Sequence, residues 1–170
     1  MGDVLGFIQK RRSIRQYKKG AAVSDAQVET LLRAAMAAPS AGNQQPWHFV
    51  VVRDRAKLEG IMQIHPYAGM LKTASLAIVV CGDLSNENYK RYCAQDCAAA
   101  TQNILLAAHS KGLGTVWTTV FPDNVKAVQA LLNIPENVRP FSCVPVGYSA
   151  EGEKNTTSRF DEKKIHRQSW

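Results

Sequence analysis

The first group able to do chemistry is Arg11-Arg12-Ser13-Ile14-Arg15. Guanidinium groups give bidentate hydrogen bonds to phosphate, and a serine hydroxyl adds a further donor. Taken alone, the same run also reads as a solvated charge run at the end of a helix. A second segment, Pro39-Ser40-Ala41-Gly42-Asn43-Gln44-Gln45-Pro46-Trp47-His48-Phe49, is a small, polar, backbone-exposing loop. Such a loop presents amides and Asn side chains to the polar edge of a heterocycle. A third, Gly112-Leu113-Gly114-Thr115-Val116-Trp117-Thr118-Thr119, is a turn feeding a strand. The fourth is Arg159 in a polar tail that ends in Trp170.

Other chemistries find no support. There is no Gly-x-Gly-x-x-Gly, no phosphate-binding loop with Gly-Lys-Ser/Thr, and no Gly-x-Ser-x-Gly. Histidines 48, 65, 109 and 166 have no metal-ligand spacing. Cys93 and Cys97 share a helix face, Cys81 and Cys143 lie in apolar runs, and no Cys-x-x-Cys occurs. These read as buried, reduced thiols, with no metal site. No carboxylate pair stands out, so the chemistry is expected to come from a cofactor.

These segments need elements to hold them. Val4, Phe7, Ile8 and Arg11 keep helical spacing after a possible Asp3 cap, so a first helix should end near the arginines. Ser24-Asp25-Ala26-Gln27 is a capping box, and Val28, Leu31, Leu32, Ala35 and Met36 follow on one helix face, ending before Pro39. Trp47–Val52 reads as a buried strand, and a helix is expected from Asp54. His65–Gly69 looks like a loop, and Leu76–Cys81 a second buried strand. A long helix is expected from about Asn88 to Lys111, ending at Gly112. It is apolar nearly all round, which calls for burial in a core, in a subunit interface or in both. Thr115–Val120 and Phe141–Val146 are strand candidates, with a short helix at Val125–Leu132 between them.

The bulk composition fits these expectations. At 170 residues, with 45% apolar and 21% charged, the chain fits one domain spanning 1–170 with a substantial core. The longest apolar run, Leu76–Cys81, is too short to span a bilayer, and the first residues lack a signal-peptide pattern. A cytoplasmic protein without membrane partners is expected. Net charge is +7, and residues 1–20 carry six basic groups against one acidic. Such a concentration attracts phosphate in a nucleic acid, a cofactor or an anionic surface. Aromatics are barely interleaved with the basic run and no recognised module appears, which argues against nucleic acid.

The four segments, taken in order, resemble the nitroreductase family of FMN-dependent enzymes, and the similarity runs over nearly the whole chain. The resemblance implies an α+β, three-layer fold with a central mixed β-sheet flanked by helices, built as a homodimer with two sites at the interface. It assigns Arg11, Arg12 and Ser13 to the FMN phosphate, ribityl chain and ring edge. It places Arg15 near the pyrimidine edge and Arg159 on the phosphate. Pro39, Ser40 and Asn43 belong to a loop given to the neighbouring subunit's flavin, and Trp117, Thr118 and Thr119 to a segment passing the ring. Two departures stand out. His65–Met70 holds no Asn and Lys pair of the kind found in longer members. Thr157 stands where a second tail cation often sits, with Lys154 as a possible substitute.

The implied function is an NAD(P)H-dependent flavin oxidoreductase. Hydride passes from NAD(P)H through flavin N5 to a small oxidised acceptor, such as a nitroaromatic or a quinone, in a ping-pong cycle. The alternative is an FMN-binding protein without turnover, a sensor or a flavin store. No side chain is expected to be catalytic in its own right, and Arg15 is the expected electrostatic tuner of the ring.

Overall fold

A run of eight residues, Leu76–Asp83, forms the central strand, and its two faces define the molecule. Leu76, Ile78 and Val80 point to one side, Ala77, Val79 and Cys81 to the other, and all six are fully buried. A strand covered on both faces reads as a continuous apolar run rather than an alternation, which is why it stood out in the sequence. The computed structural model describes residues 3–152 and 158–170. Lys154 and Thr157 lie outside the described residues.

The strands are β1 (Trp47–Val52), β2 (Leu76–Asp83), β3 (Leu113–Thr115), β4 (Thr118–Thr119) and β5 (Val138–Tyr148). Their order is β1-β2-β5-β3, with β4 also on β5, and these ladders are antiparallel. Among the described residues the parallel component is a single bridge between Ser13 and Thr115. The helices are α1 (Val4–Lys10), α2 (Asp25–Met36), α3 (Arg55–Ile64), α4 (Cys93–Ser110) and α5 (Val125–Leu132). Residues of α2 and α4 close the first face of the sheet. Those of α3 and α5 close the second. This is the expected three-layer α+β arrangement.

Local rules place the ends. Asp3 Oδ1 accepts from Gly6 N–H at 2.8 Å and starts α1. The capping box of α2 is formed in both directions, Gln27 N–H to Ser24 Oγ and Ser24 N–H to Gln27 Oε1. The long helix departs from expectation at its start. It begins at Cys93 after a 3-10 turn, Lys90–Tyr92. Upstream, Asn86 Oδ1 accepts from Asn88 N–H, so the segment is held in an Asx-type turn instead of a helix.

The expected strand Thr115–Val120 is split into β3 and β4. Thr115 pairs with Val146 and Thr118 with Cys143, so both pieces keep one register along β5. That register sets Val116 opposite Pro145, which has no amide hydrogen. The Pro145 carbonyl accepts from the Tyr17 hydroxyl at 3.3 Å. The ladder is interrupted where the partner offers no amide hydrogen.

β5 is longer than expected and runs through Pro140 as well. The register shift between Val80 and Cys81, opposite this region, accommodates it. All four cysteines are buried and free, as expected of small apolar thiols. Among the described residues no helix is long and apolar enough to cross a membrane.

Candidate flavin site

The arginine run is fixed at a chain reversal. Extended backbone at Arg11 terminates α1. The Arg12 guanidinium folds back and donates to Gln9 O at 2.7 Å and Arg11 O at 2.8 Å, covering carbonyls at the helix end. Ser13 bridges to Thr115, and Ile14 N–H donates to Thr115 O at 2.9 Å. A Cβ on Gly114 would lie 2.7 Å from Ile14 Cγ2. The second glycine of the Gly112-Leu113-Gly114 turn therefore lets the arginine segment close on β3. Downstream, Gln16 N–H donates to Glu151 Oε1 at 2.9 Å, and the buried Tyr17 hydroxyl donates to Ile14 O at 2.8 Å.

Beside this reversal lies a cleft of about 520 Å³. Arg11, Arg12, Ser158 and Arg159 form its polar wall, so the tail does return to the N-terminal arginines. Ile8 and Gln9 of α1, Gln102 of α4 and Phe160 complete the lining. Burial, then the neighbouring guanidiniums of Arg12 and Arg159, hold Arg11 below the usual arginine value. Like charges pressed together in a concave site are the electrostatic signature of an anion pocket. The residues present thus fit a phosphate monoester such as that of FMN.

Several of these lining groups escaped the sequence reading. Gln102 is one of several polar side chains on that helix, beside Thr101 and Asn103, and its type alone gives no reason to choose it. Ser158 and Phe160 flank Arg159, but their types alone give no reason to choose them.

Arg15 is exposed and lies outside this lining. The loop Pro39–Asn43 and the segment Trp117–Thr119 also do not line it. Within one chain, the structure brings Arg11, Arg12 and Arg159 to one cleft, while Ser13, bridged to Thr115, and the ring-type residues stand outside its lining.

The loop is tightly built all the same. Ser40 Oγ accepts from Gln45 N–H at 2.9 Å, so this hydroxyl braces the loop. Ala41–Asn43 forms a 3-10 turn, with left-handed backbone at Gly42, Asn43 and Gln45. A Cβ on Gly42 would lie 2.5 Å from the Tyr89 ring, which packs the loop on the segment before α4. Asn86 Nδ2 donates to Gln44 Oε1 at 2.6 Å from the same side.

In the third segment the Thr118 hydroxyl turns inward and donates to Cys143 O at 2.6 Å. Thr119 O lies 2.6 Å from His65 Nε2. His65 Nδ1 accepts from Tyr67 N–H at 3.1 Å, so the ring is the Nε2–H tautomer. Trp117, 37% exposed, is the large side chain this segment leaves open. At the tail, Trp170 is fully exposed and stacks on His166, with ring centroids 4.1 Å apart.

Known proteins resemble this chain over nearly its whole length. The sequence model of the nitroreductase family matches residues 8–65 and 61–148. A relative from Methanothermobacter thermautotrophicus, provisionally named an NADH dehydrogenase/NAD(P)H nitroreductase, is 49% identical over 170 residues, 99% of this chain and 88% of its own. A crystal structure of a protein with the same provisional name from Parabacteroides distasonis superimposes with a TM-score of 0.93 at 38% identity, covering the whole of both chains. An FMN-dependent nitroreductase from Clostridium difficile superimposes at 0.88 with 32% identity, over 98% of this chain and all of its own. With the arginine reversal, the glycine that closes it and the basic cleft already in place, the chain belongs to the nitroreductase family.

Proposed function

We propose that this protein is an FMN-dependent oxidoreductase that takes reducing equivalents from NAD(P)H and passes them to a small oxidised acceptor, a nitroaromatic or a quinone. The observation that carries the reading is the meeting of Arg11, Arg12 and Arg159 in one cleft, with Arg11 destabilised by its neighbours. A phosphate in their midst turns mutual repulsion into charge-assisted hydrogen bonds. Bound FMN supplies a hydride acceptor and donor at N5, and the cycle divides into a reducing and an oxidising half.

The residues' parts follow from their chemistry. Arg11, Arg12 and Arg159 hold the phosphate, and Ser13 contributes beside them. Arg15, exposed at the end of the run, sets a fixed positive charge toward the N1 and O2 edge, where negative charge gathers on reduction. Backbone groups of Trp117, Thr118 and Thr119 pass the ring. Pro39, Ser40 and Asn43 serve the flavin of a second copy. That division accounts for the cleft's incompleteness in one chain, and it makes the working unit a homodimer of chains acting as one domain over 1–170.

Exposed apolar groups support a dimer. Val4 and Leu5 of α1 are 63% and 65% exposed, and Phe160, Ile165 and Trp170 stand out along the tail. Surfaces of this kind are expected to be covered. Four buried free thiols fit a reducing cytoplasm.

The test is anaerobic reduction. The purified protein, reconstituted with FMN, is mixed with NADH or NADPH, and an acceptor is added afterwards. Bleaching of the flavin absorbance followed by its return with acceptor is the expected result. Flavin that binds without bleaching would favour a storage or sensing protein. Activity that survives in a species shown by light scattering to be monomeric would remove the shared-site element.

A further inference from the structure

The carboxylate of Asp96 sits where the proposed function gives it nothing to do. It lies in the first turn of α4, beside Cys93, Cys97 and Ala100 of the apolar core, and is only 6% exposed. Its Oδ1 accepts from Ala41 N–H at 3.0 Å, across 55 residues of sequence. Its Oδ2 is buried with no hydrogen-bond donor among the described residues. Burying a carboxylate with one oxygen unpaired works against stability, and the positive end of α4 offsets this only in part. An apolar side chain would suit the surrounding core better.

The loop it touches has its own internal bonds. Asn43 N–H donates to Ser40 O, Gln44 N–H to Ala41 O, and Gln45 N–H to Ser40 Oγ. These fix the loop's shape; its place is set by contacts outside it, Tyr89 and Asn86 on one side and Asp96 on the other. Left-handed backbone at the non-glycine residues Asn43 and Gln45 persists only where surroundings over-determine it. The Ala41 amide is the group turned outward onto the core helix.

We propose that Asp96 is a positioning residue that holds the Pro39–Asn43 loop, through the Ala41 amide, in the flavin-receiving conformation. It does not touch the flavin. This role rests on the assignment of that loop to FMN binding.

The test uses the full-length protein as wild type, Asp96→Ala, Asp96→Asn and Ala41→Pro. FMN is titrated and followed by flavin fluorescence, visible circular dichroism reports the ring's surroundings, and far-UV circular dichroism with melting reports folding. Asp96→Ala should bind FMN about tenfold more weakly and alter the visible dichroism. Asp96→Asn keeps an acceptor for Ala41 N–H and should recover both to within about threefold. Ala41→Pro deletes the same bond from the other side. Ser40 is already extended, as a residue before proline must be. This variant should repeat the loss, and combining it with Asp96→Ala should add little.

If Asp96→Ala does not fold, Asp96→Asn and Ala41→Pro carry the comparison. Asp96→Asn as weak as Ala41→Pro would overturn the clamp, and so would Ala41→Pro binding like wild type. A wild-type protein that takes no FMN overturns the flavin reading itself. A wild type that binds, with variants that bind equally well, overturns only the role of Asp96.

Discussion

Replacing Gly114 by alanine should damage stability and FMN binding together. The added Cβ would lie 2.7 Å from Ile14 Cγ2 and 2.9 Å from Ile14 Cβ. Carbon atoms sit comfortably at about 3.5 Å, so one partner must retreat by roughly 0.8 Å. Ile14 has little room to do so. Its N–H is bonded to Thr115 O at 2.9 Å, and its carbonyl accepts from the buried Tyr17 hydroxyl at 2.8 Å. Overpacking of this kind costs about 1–3 kcal/mol, which for a chain of this size lowers the melting temperature by roughly 2–12 °C. The strain falls on the segment that carries Arg11, Arg12 and Ser13, so FMN affinity should drop about tenfold, the scale of an ångström-level misplacement or less. Gly60→Ala is the control. Its Cβ meets only the flexible tip of Leu131, and a helix interior gains up to about 1 kcal/mol from the exchange. Thermal melts and fluorescence titrations of both variants decide the matter. A Gly114→Ala protein that melts with the parent, or that is destabilised yet binds FMN unchanged, would refute the idea that this glycine couples fold to site.

Arg159→Ala should weaken FMN binding by about tenfold, the low end for a lost charged hydrogen bond because the side chain is exposed. The difference from wild type should shrink as salt rises, and a salt-independent loss would point to packing instead. Arg15→Leu should make the flavin harder to reduce, so equal potentials by anaerobic potentiometry would remove Arg15 from the ring edge. Burial pushes the Cys81 and Cys143 thiols from 9.0 up to about 12. A raised folded value means the folded state holds the proton more tightly. Stability from these thiols is therefore complete below pH 9 and declines as pH rises toward 12. Melting temperature against pH should fall over that window, and a Cys81→Ala, Cys143→Ala double variant should show a shallower fall.

Periodicity and local chemistry made much of this fold readable. Ser24 and Gln27 announce α2 because each satisfies the other's backbone amide. Leu76–Cys81 announces the central strand because both its faces are covered. The basic cleft was partly readable too, since Arg11, Arg12 and Arg159 could be named before their meeting was seen. What stayed hidden depends on distant partners. The interruption at Val116 and Trp117 falls opposite Pro145, which has no amide hydrogen, and nothing in the segment's own sequence announces it. Asp96 falls well inside the helix expected from about Asn88, where nothing singles it out, and only the fold brings it to Ala41. Ser40 was named for a ligand, yet its hydroxyl braces its own loop, and the inward Thr118 hydroxyl leaves that segment its backbone for a ligand. A residue type states which bonds a group can make, and the fold decides which of them remain for a ligand.

The interruption opposite Pro145 behaves as a spacer of fixed length. Thr115 and Thr118 lie on the same register along β5, so the two residues between them take up the same span they would occupy in the ladder. One residue more or fewer would move Thr118 to the opposite face of the sheet. Its hydroxyl would leave the Cys143 carbonyl, and the Thr119 carbonyl would leave His65. This site should therefore accept many side chains at Trp117 while rejecting every single-residue insertion or deletion. A library varied in both identity and length across 116 and 117 would reveal a position that is permissive in chemistry and intolerant in count.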